Sequence, residues 1–254
     1  MHPFTIKTIP CLQDNYAFLI GNPETGEAAL VDVPDASPIN EQLAKEGWTL
    51  THVLLTHHHW DHVDGLDNLT GRENVQVIGA AADASRLPPL DLAVMDGATF
   101  QLFGQEVQVM DVSGHTVGHI AFVMNGAAFT ADSLMTMGCG RLFEGTPAQM
   151  WDSMQKLRAL PDDTIIYSGH EYTSGNIAFA NSLGEDNAAL AERTANVKLR
   201  RMGGRPTVPS TLAEEKATNP FLRADAPSLQ AAIGMAGADP TDVFTEIRKR
   251  KDAF

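Results

Sequence analysis

Cysteine is almost absent from this chain of 254 residues, with Cys11 and Cys139 as the only two. That scarcity excludes a disulfide framework, argues against a closed structural zinc site built on thiolates, and makes a reducing, cytoplasmic compartment the expected setting. Basic residues are also few, 18 against 32 acidic ones, for a formal net charge of -14. Such a charge repels phosphate backbones, so no nucleic-acid partner is expected, and an anionic ligand needs cations placed locally. No apolar run approaches the roughly 20 residues that span a bilayer, so no membrane partner is expected either. The opening Met-His-Pro-Phe-Thr-Ile-Lys lacks the apolar stretch of a signal peptide. The expected state is a soluble monomer.

What is present is an alternation of short apolar, β-branched runs with turn residues. Strands are predicted over residues 4–9, 16–20, 28–31, 53–55 and 107–112, with helical periodicity in inserts such as 148–160. Four apolar runs end alike: Val-Leu-Leu-Thr-His57, Val-Met-Asp-Val-Ser-Gly-His115, Ala-Ala-Phe-Thr-Ala-Asp132 and Ile-Ile-Tyr-Ser-Gly-His170. Each delivers a histidine or aspartate just past a strand, where loops along one sheet edge converge. From about residue 173 the character turns helical. Residues 185–202 are rich in Ala, Leu, Lys and Arg, and Asp239-Pro240 reads as the N-cap and first turn of a last helix. The expected division is a catalytic part, residues 1–172, and a helical substrate-binding part, residues 173–254.

Residues 56–62, Thr-His-His-His-Trp-Asp-His, concentrate metal ligands as no other stretch does. In an extended loop alternate residues point the same way, so His57 and His59 suit one cation while Asp61 and His62 turn toward a second. His115 and His170 offer each cation a third imidazole, and Asp132 has two carboxylate oxygens with which to bridge both. A histidine near a strand end is ordinarily a satisfied loop or core residue, and His2, His52 and His58 are read that way. His119 is read as a partner that orients a ligand. Zinc, iron and manganese all suit this donor set, zinc first.

The spacing Thr-His-X-His-X-Asp-His, followed by Gly-His-Thr at 114–116, the Asp132 strand end and Gly-His-Glu at 169–171, resembles the metallo-β-lactamase superfamily. The resemblance implies an α/β fold, an αββα sandwich with two divalent metal ions at one edge of its sheets, here with a C-terminal helical layer. Asp14-Asn15-Tyr16, Gly138-Cys139-Gly140-Arg141, Phe143-Glu144-Gly145-Thr146, His170-Glu171-Tyr172-Thr173, Asn219-Pro220-Phe221-Leu222-Arg223 and the basic run from Arg248 to Lys251 resemble the glyoxalase II family. The resemblance implies hydrolysis of a glutathione thioester, chiefly S-lactoylglutathione, with Asp61 orienting a metal-activated hydroxide. It also implies that Arg141, Tyr172, Arg248 and Lys251 hold the glutathione. Phe143 departs from the pattern, standing where many members have a tyrosine that reaches glutathione. On a helix Lys249 and Arg250 turn away from the Arg248 and Lys251 face. Cys139, in a Gly-Cys-Gly turn without a base beside it, is given a structural role. The rivals are a single-iron glutathione persulfide dioxygenase, a β-lactamase or lactonase, and, from another class, a nucleic-acid-binding or vestigial metal-binding module.

Overall fold

A computed structural model describes residues 4–254, so His2 lies outside the described residues. The chain forms two compact units: residues up to Asp111 together with Val117–Phe129, and Val112–Thr116 together with Thr130–Phe254.

In the first unit β1 (Thr5–Cys11), β2 (Asn15–Gly21) and β3 (Glu27–Val31) run antiparallel. Helix α1 (Ala36–Glu46) then returns the chain to β4 (Thr49–Leu54), parallel to β3. Past the short α2 (Trp60–Val63), the parallel run continues through β5 (Gln76–Ala80) and β6 (Leu92–Val94). Parallel strands finish on the same edge, so whatever follows β3, β4 and β5 emerges side by side. The backbone enforces this: Asp32 N donates to Leu54 O at 3.0 Å and Leu55 N to Ile78 O at 2.8 Å.

β2 is buried along its whole length because both faces are covered. Ala17 and Leu19 pack with Ile39 and Leu43 of α1. On the opposite face the Phe18 ring meets Phe129 at 5.9 Å. Each fully buried Ile or Leu contributes about 1.5–3 kcal/mol, so α1 is held by its apolar face more than by helix propensity. Its ends are set locally: Asp35 Oδ1 accepts from Ser37 N at 2.9 Å, and Gly47 closes it at φ 69°. Phe129 belongs to a second sheet, a meander of β7 (Thr99–Leu102), β8 (Gln105–Asp111), β9 (Ile120–Met124) and β10 (Ala127–Ala131).

In the second unit the end of β10 leads into a tight hairpin of β11 (Leu134–Met135) and β12 (Gly138–Cys139). Helix α3 (Pro147–Arg158) begins with a capping box between Thr146 and Gln149 and precedes β13 (Ile165–Ser168). Then come α4 (Thr173–Ser182), α5 (Ala188–Met202), β14 (Ser210–Thr211), α6 (Leu212–Thr218), α7 (Pro227–Ala232) and α8 (Pro240–Ala253). Asp239 caps α8 through a 2.8 Å bond from Thr241 N, as expected from its sequence. A chain of rings, Phe179 to Phe221 to Phe244 to Trp151, ties the helices together. Among the described residues no helix is long and apolar enough to cross a membrane.

Candidate metal centre

The loop after β4 carries four of the predicted ligands, and the parallel register of the first unit places Asp32, which follows β3, beside it. Asp32 is buried and holds φ at 57°, a conformation that a short polar side chain tolerates better than most. Its carboxylate accepts from Thr56 N at 2.9 Å, Thr56 Oγ1 at 2.8 Å and His62 Nδ1 at 2.8 Å. Because Thr56 Oγ1 donates to Asp32, it accepts from His57 Nδ1, 3.0 Å away. Both rings thus carry their proton on Nδ1 and turn the Nε2 lone pair outward, the tautomer a metal-binding imidazole needs.

His57 Nε2 lies 3.2 Å from His59 Nδ1. Two nitrogens bound at about 2.0–2.1 Å to one tetrahedral cation stand about 3.3 Å apart, so this pair has the spacing of two ligands of one metal. His119, fully buried, stacks on His57 at 4.6 Å and 16°, whereas the other ring nitrogen of His57 is held by Thr56. Asp61 is steered by Asn15, whose Nδ2 donates to Asp61 O at 3.0 Å and to Oδ2 at 3.1 Å. His58 is engaged elsewhere, with Asp83 at 2.8 Å, and Trp60 is 63% exposed; neither joins the ligands.

In the second unit Asp132 Oδ2 lies 3.5 Å from His115 Nε2 and 3.3 Å from His170 Nε2. His115 Nδ1 donates to Arg141 O at 2.7 Å, which again leaves Nε2 as the ligand atom of the neutral ring. One carboxylate oxygen thus stands between two imidazole nitrogens at similar distances. Gly140 makes it possible: a Cβ there would stand 2.0 Å from Asp132 O and 2.9 Å from His115 Nδ1. His170 stacks on Tyr172 at 4.6 Å and 6°. This donor set of buried imidazoles and carboxylates, without thiolate, fits divalent cations.

The residues expected to hold glutathione also lie in the second unit. Arg141 is largely exposed and within 3.7 Å of Asp252. Phe143, 61% exposed, sets its ring edge against His115 at 5.3 Å. Arg248 is buried, paired with Asp252 at 2.7 Å, and donates to Cys139 O at 3.1 Å. Lys251 lies over the rings of Phe179 and Phe254, and burial followed by the neighbouring Arg248 pushes its ammonium below the usual lysine range. Arg250 pairs instead with Glu246 at 2.8 Å. Burial pushes the Cys139 thiol up to about 11, so it is no nucleophile at neutral pH.

Two residues that hold proposed ligands are not marked by the motif spacing. Asp32 ends the run Ala-Ala-Leu-Val-Asp32, which has the same form as the four apolar runs above. Asn15 stands out only as part of a family resemblance, because its partner Asp61 is 46 residues away and no local pattern joins them.

Residues 13–170 match the metallo-beta-lactamase superfamily, and residues 171–254 match the hydroxyacylglutathione hydrolase C-terminus. A hydroxyacylglutathione hydrolase of Ruegeria pomeroyi is 61% identical, with 99% of this chain and 100% of that one aligned. One of Jannaschia sp. is 60% identical over 98% of each. Among solved structures, ETHE1 from Myxococcus xanthus superposes with a TM-score of 0.66 at 24% identity, covering 98% of this chain and 100% of that one. A metallo-beta-lactamase from Staphylococcus aureus gives 0.65 at 21%, covering 98% of this chain and 71% of that one. These two likenesses establish the αββα fold and leave chemistry to the sequence relatives. With the helical C-terminal part matched as fully as the metal-ligand motifs, the chain belongs to the hydroxyacylglutathione hydrolase family of the metallo-β-lactamase superfamily.

Proposed function

We propose that the protein hydrolyses S-(2-hydroxyacyl)glutathione thioesters, chiefly S-lactoylglutathione, to glutathione and D-lactate, the second step of methylglyoxal detoxification. The observation that carries this reading is Asp132 Oδ2 at ligand spacing from both His115 and His170, in a chain 61% identical to a hydroxyacylglutathione hydrolase end to end. In the proposed site His57, His59 and His115 would hold one divalent cation and Asp61, His62 and His170 a second, with Asp132 placed to serve both, zinc being the first choice and iron or manganese the others. Such a pair of cations supplies a nucleophile from water at neutral pH and charge to offset the developing oxyanion. The protein's own part is orientation. Asp32 and Thr56 keep two imidazoles in the ligating tautomer, and Asp61, gripped by Asn15, would orient the attacking water.

Glutathione carries two carboxylates, and an acidic protein that binds it must present cations locally. Arg141, Arg248 and Lys251 are those cations in this reading, with Tyr172 as a hydroxyl donor and Phe143 offering a ring without one. Residues 173–254 form the substrate-binding part and residues 1–172 the catalytic part. The enzyme works as a cytoplasmic monomer. Lys251→Ala is expected to raise KM for S-lactoylglutathione by about tenfold with kcat little changed, because a contact made equally in ground and transition states acts on binding alone. Arg248 is the poorer choice for that test, since its guanidinium also holds Cys139 O.

The reaction itself is tested by assaying hydrolysis of S-lactoylglutathione, a penicillin and a lactone on one sample of measured metal content. Turnover of the thioester with about two metal equivalents is expected. Preference for the lactam or lactone, or one iron with oxygen consumption on a glutathione persulfide, would overturn the assignment.

A further inference from the structure

The segment from Asp132 to Arg141 begins at a metal ligand and ends at a residue whose carbonyl grips a second ligand, His115. Between them lies the hairpin of β11 and β12, two residues per strand with Thr136-Met137 as its turn. Met137 holds φ at 63°. Neither turn residue is one that a two-residue hairpin selects, and a ladder this short does not hold itself together. Its shape is imposed from outside, by polar side chains of α4, β13 and α6 and the residue after α6.

Glu215 of α6 is fully buried, and its Oε2 accepts from Met137 N at 2.9 Å. Asn219 is fully buried too; its Nδ2 donates to Met135 O at 3.2 Å, Gly138 O at 3.0 Å and Glu215 Oε2 at 3.0 Å. Asn176 Nδ2 donates to Thr136 O at 3.1 Å, and Thr136 N to Ser168 Oγ at 3.2 Å. Glu215 is itself pinned by Ser210 Oγ at 2.7 Å and by an ion pair with the buried Arg193. Successive peptide groups of the hairpin are thus held through their backbone, independent of hairpin side chains. Downstream, Gly140 N donates to Ser133 O at 3.2 Å and closes the segment back on its start.

We infer that Asn219 and Glu215 are positioning residues for substrate recognition: they hold the hairpin by its backbone and thereby set where Arg141 stands relative to Asp132. The inference rests on the proposed glutathione thioester activity, with Arg141 as a carboxylate contact. Asp132 has its own tether, since it follows β10 directly. Loosening the hairpin therefore shifts the Arg141 side chain, while Asp132 stays in register and the Gly140 N to Ser133 O bond keeps the Arg141 carbonyl against His115 Nδ1.

The experiment compares S-lactoylglutathione with S-lactoyl-N-acetylcysteamine, a thioester of the same acid that lacks the glutathione carboxylates. Asn219→Ala withdraws the amide without leaving a buried charge unpaired. Its kcat/KM for S-lactoylglutathione is expected to fall about tenfold, through KM, while the truncated thioester changes by no more than about twofold at unaltered metal content. Arg141→Ala should show the same loss of discrimination, and the double variant no further loss, because both act on one contact. Equal losses on both substrates, or a lowered melting temperature with discrimination intact, would mean a merely structural role and overturn the inference. Should Asn219→Ala not fold, Asn176→Ala, which withdraws the bond to Thr136 O, is read by the same ratio with a loss of about threefold expected. A wild-type protein that hydrolyses neither thioester instead refutes the proposed function.

Discussion

Asp132→Ala is expected to lower kcat for S-lactoylglutathione by at least about a thousandfold, about 4 kcal/mol of transition-state stabilisation, in a protein that still folds. The size follows from geometry. One carboxylate oxygen serves two imidazoles at 3.5 and 3.3 Å, so its removal strips a ligand from both proposed cations at once. The fold should survive, because Asp132 sits at the end of β10, where the chain is also held by Gly169 N donating to Ala131 O at 3.0 Å. Steady-state kinetics, circular dichroism and elemental analysis on one preparation check the three parts. Retained full activity would sink the two-metal scheme.

Asp32→Ala is expected to have the second largest effect, although Asp32 is not among the proposed ligands. Its carboxylate satisfies Thr56 N, Thr56 Oγ1 and His62 Nδ1. Each buried donor left without an acceptor costs about 1–3 kcal/mol, and losing the group that fixes a ligand's tautomer typically weakens metal binding by about 10- to 100-fold. Both effects act here through one side chain. Chelator-competition titration should show the weakened metal, and thermal unfolding of the metal-free protein the lost stability. Asp32→Asn separates them: the amide still accepts from Thr56 N but presents N–H to His62 Nδ1, so His62 must change tautomer and its Nε2 ceases to be a ligand. Metal affinity then falls while metal-free stability falls less. Unchanged affinity in both variants would remove Asp32 from the site.

The proposed ligands stand out in the sequence because a site for two cations would demand many polar groups of the right types at strand ends, and His57, His59, Asp61 and His62 lie together. Asp132 and the two distant histidines were legible because each follows an apolar run. Asp32 was passed over although it follows one too, since a lone aspartate after a strand is common in turns and its three donors lie 24 to 30 residues away. Helix α1 was also missed: Ala36, Ile39 and Leu43 make a narrow apolar stripe, but Pro38 in the first turn and many polar neighbours weaken it. Asp35 and Gly47 were the signals that mark its ends. The hairpin at Leu134–Cys139 had no local signal at all, because its conformation is dictated by Glu215 and Asn219, about 80 residues downstream.

Ala131, just before Asp132, holds φ at 41°. The left-handed region costs an L-residue roughly 1–2 kcal/mol, so the end of β10 keeps this shape at some expense in stability.

Both thiols in the chain are buried, with burial pushing Cys11 up to about 12 and Cys139 to about 11. Thiolates attack electrophilic carbonyl compounds, and at neutral pH neither sulfur offers a thiolate. In the proposed role downstream of a reactive α-oxoaldehyde, neither sulfur is a ready target for that aldehyde.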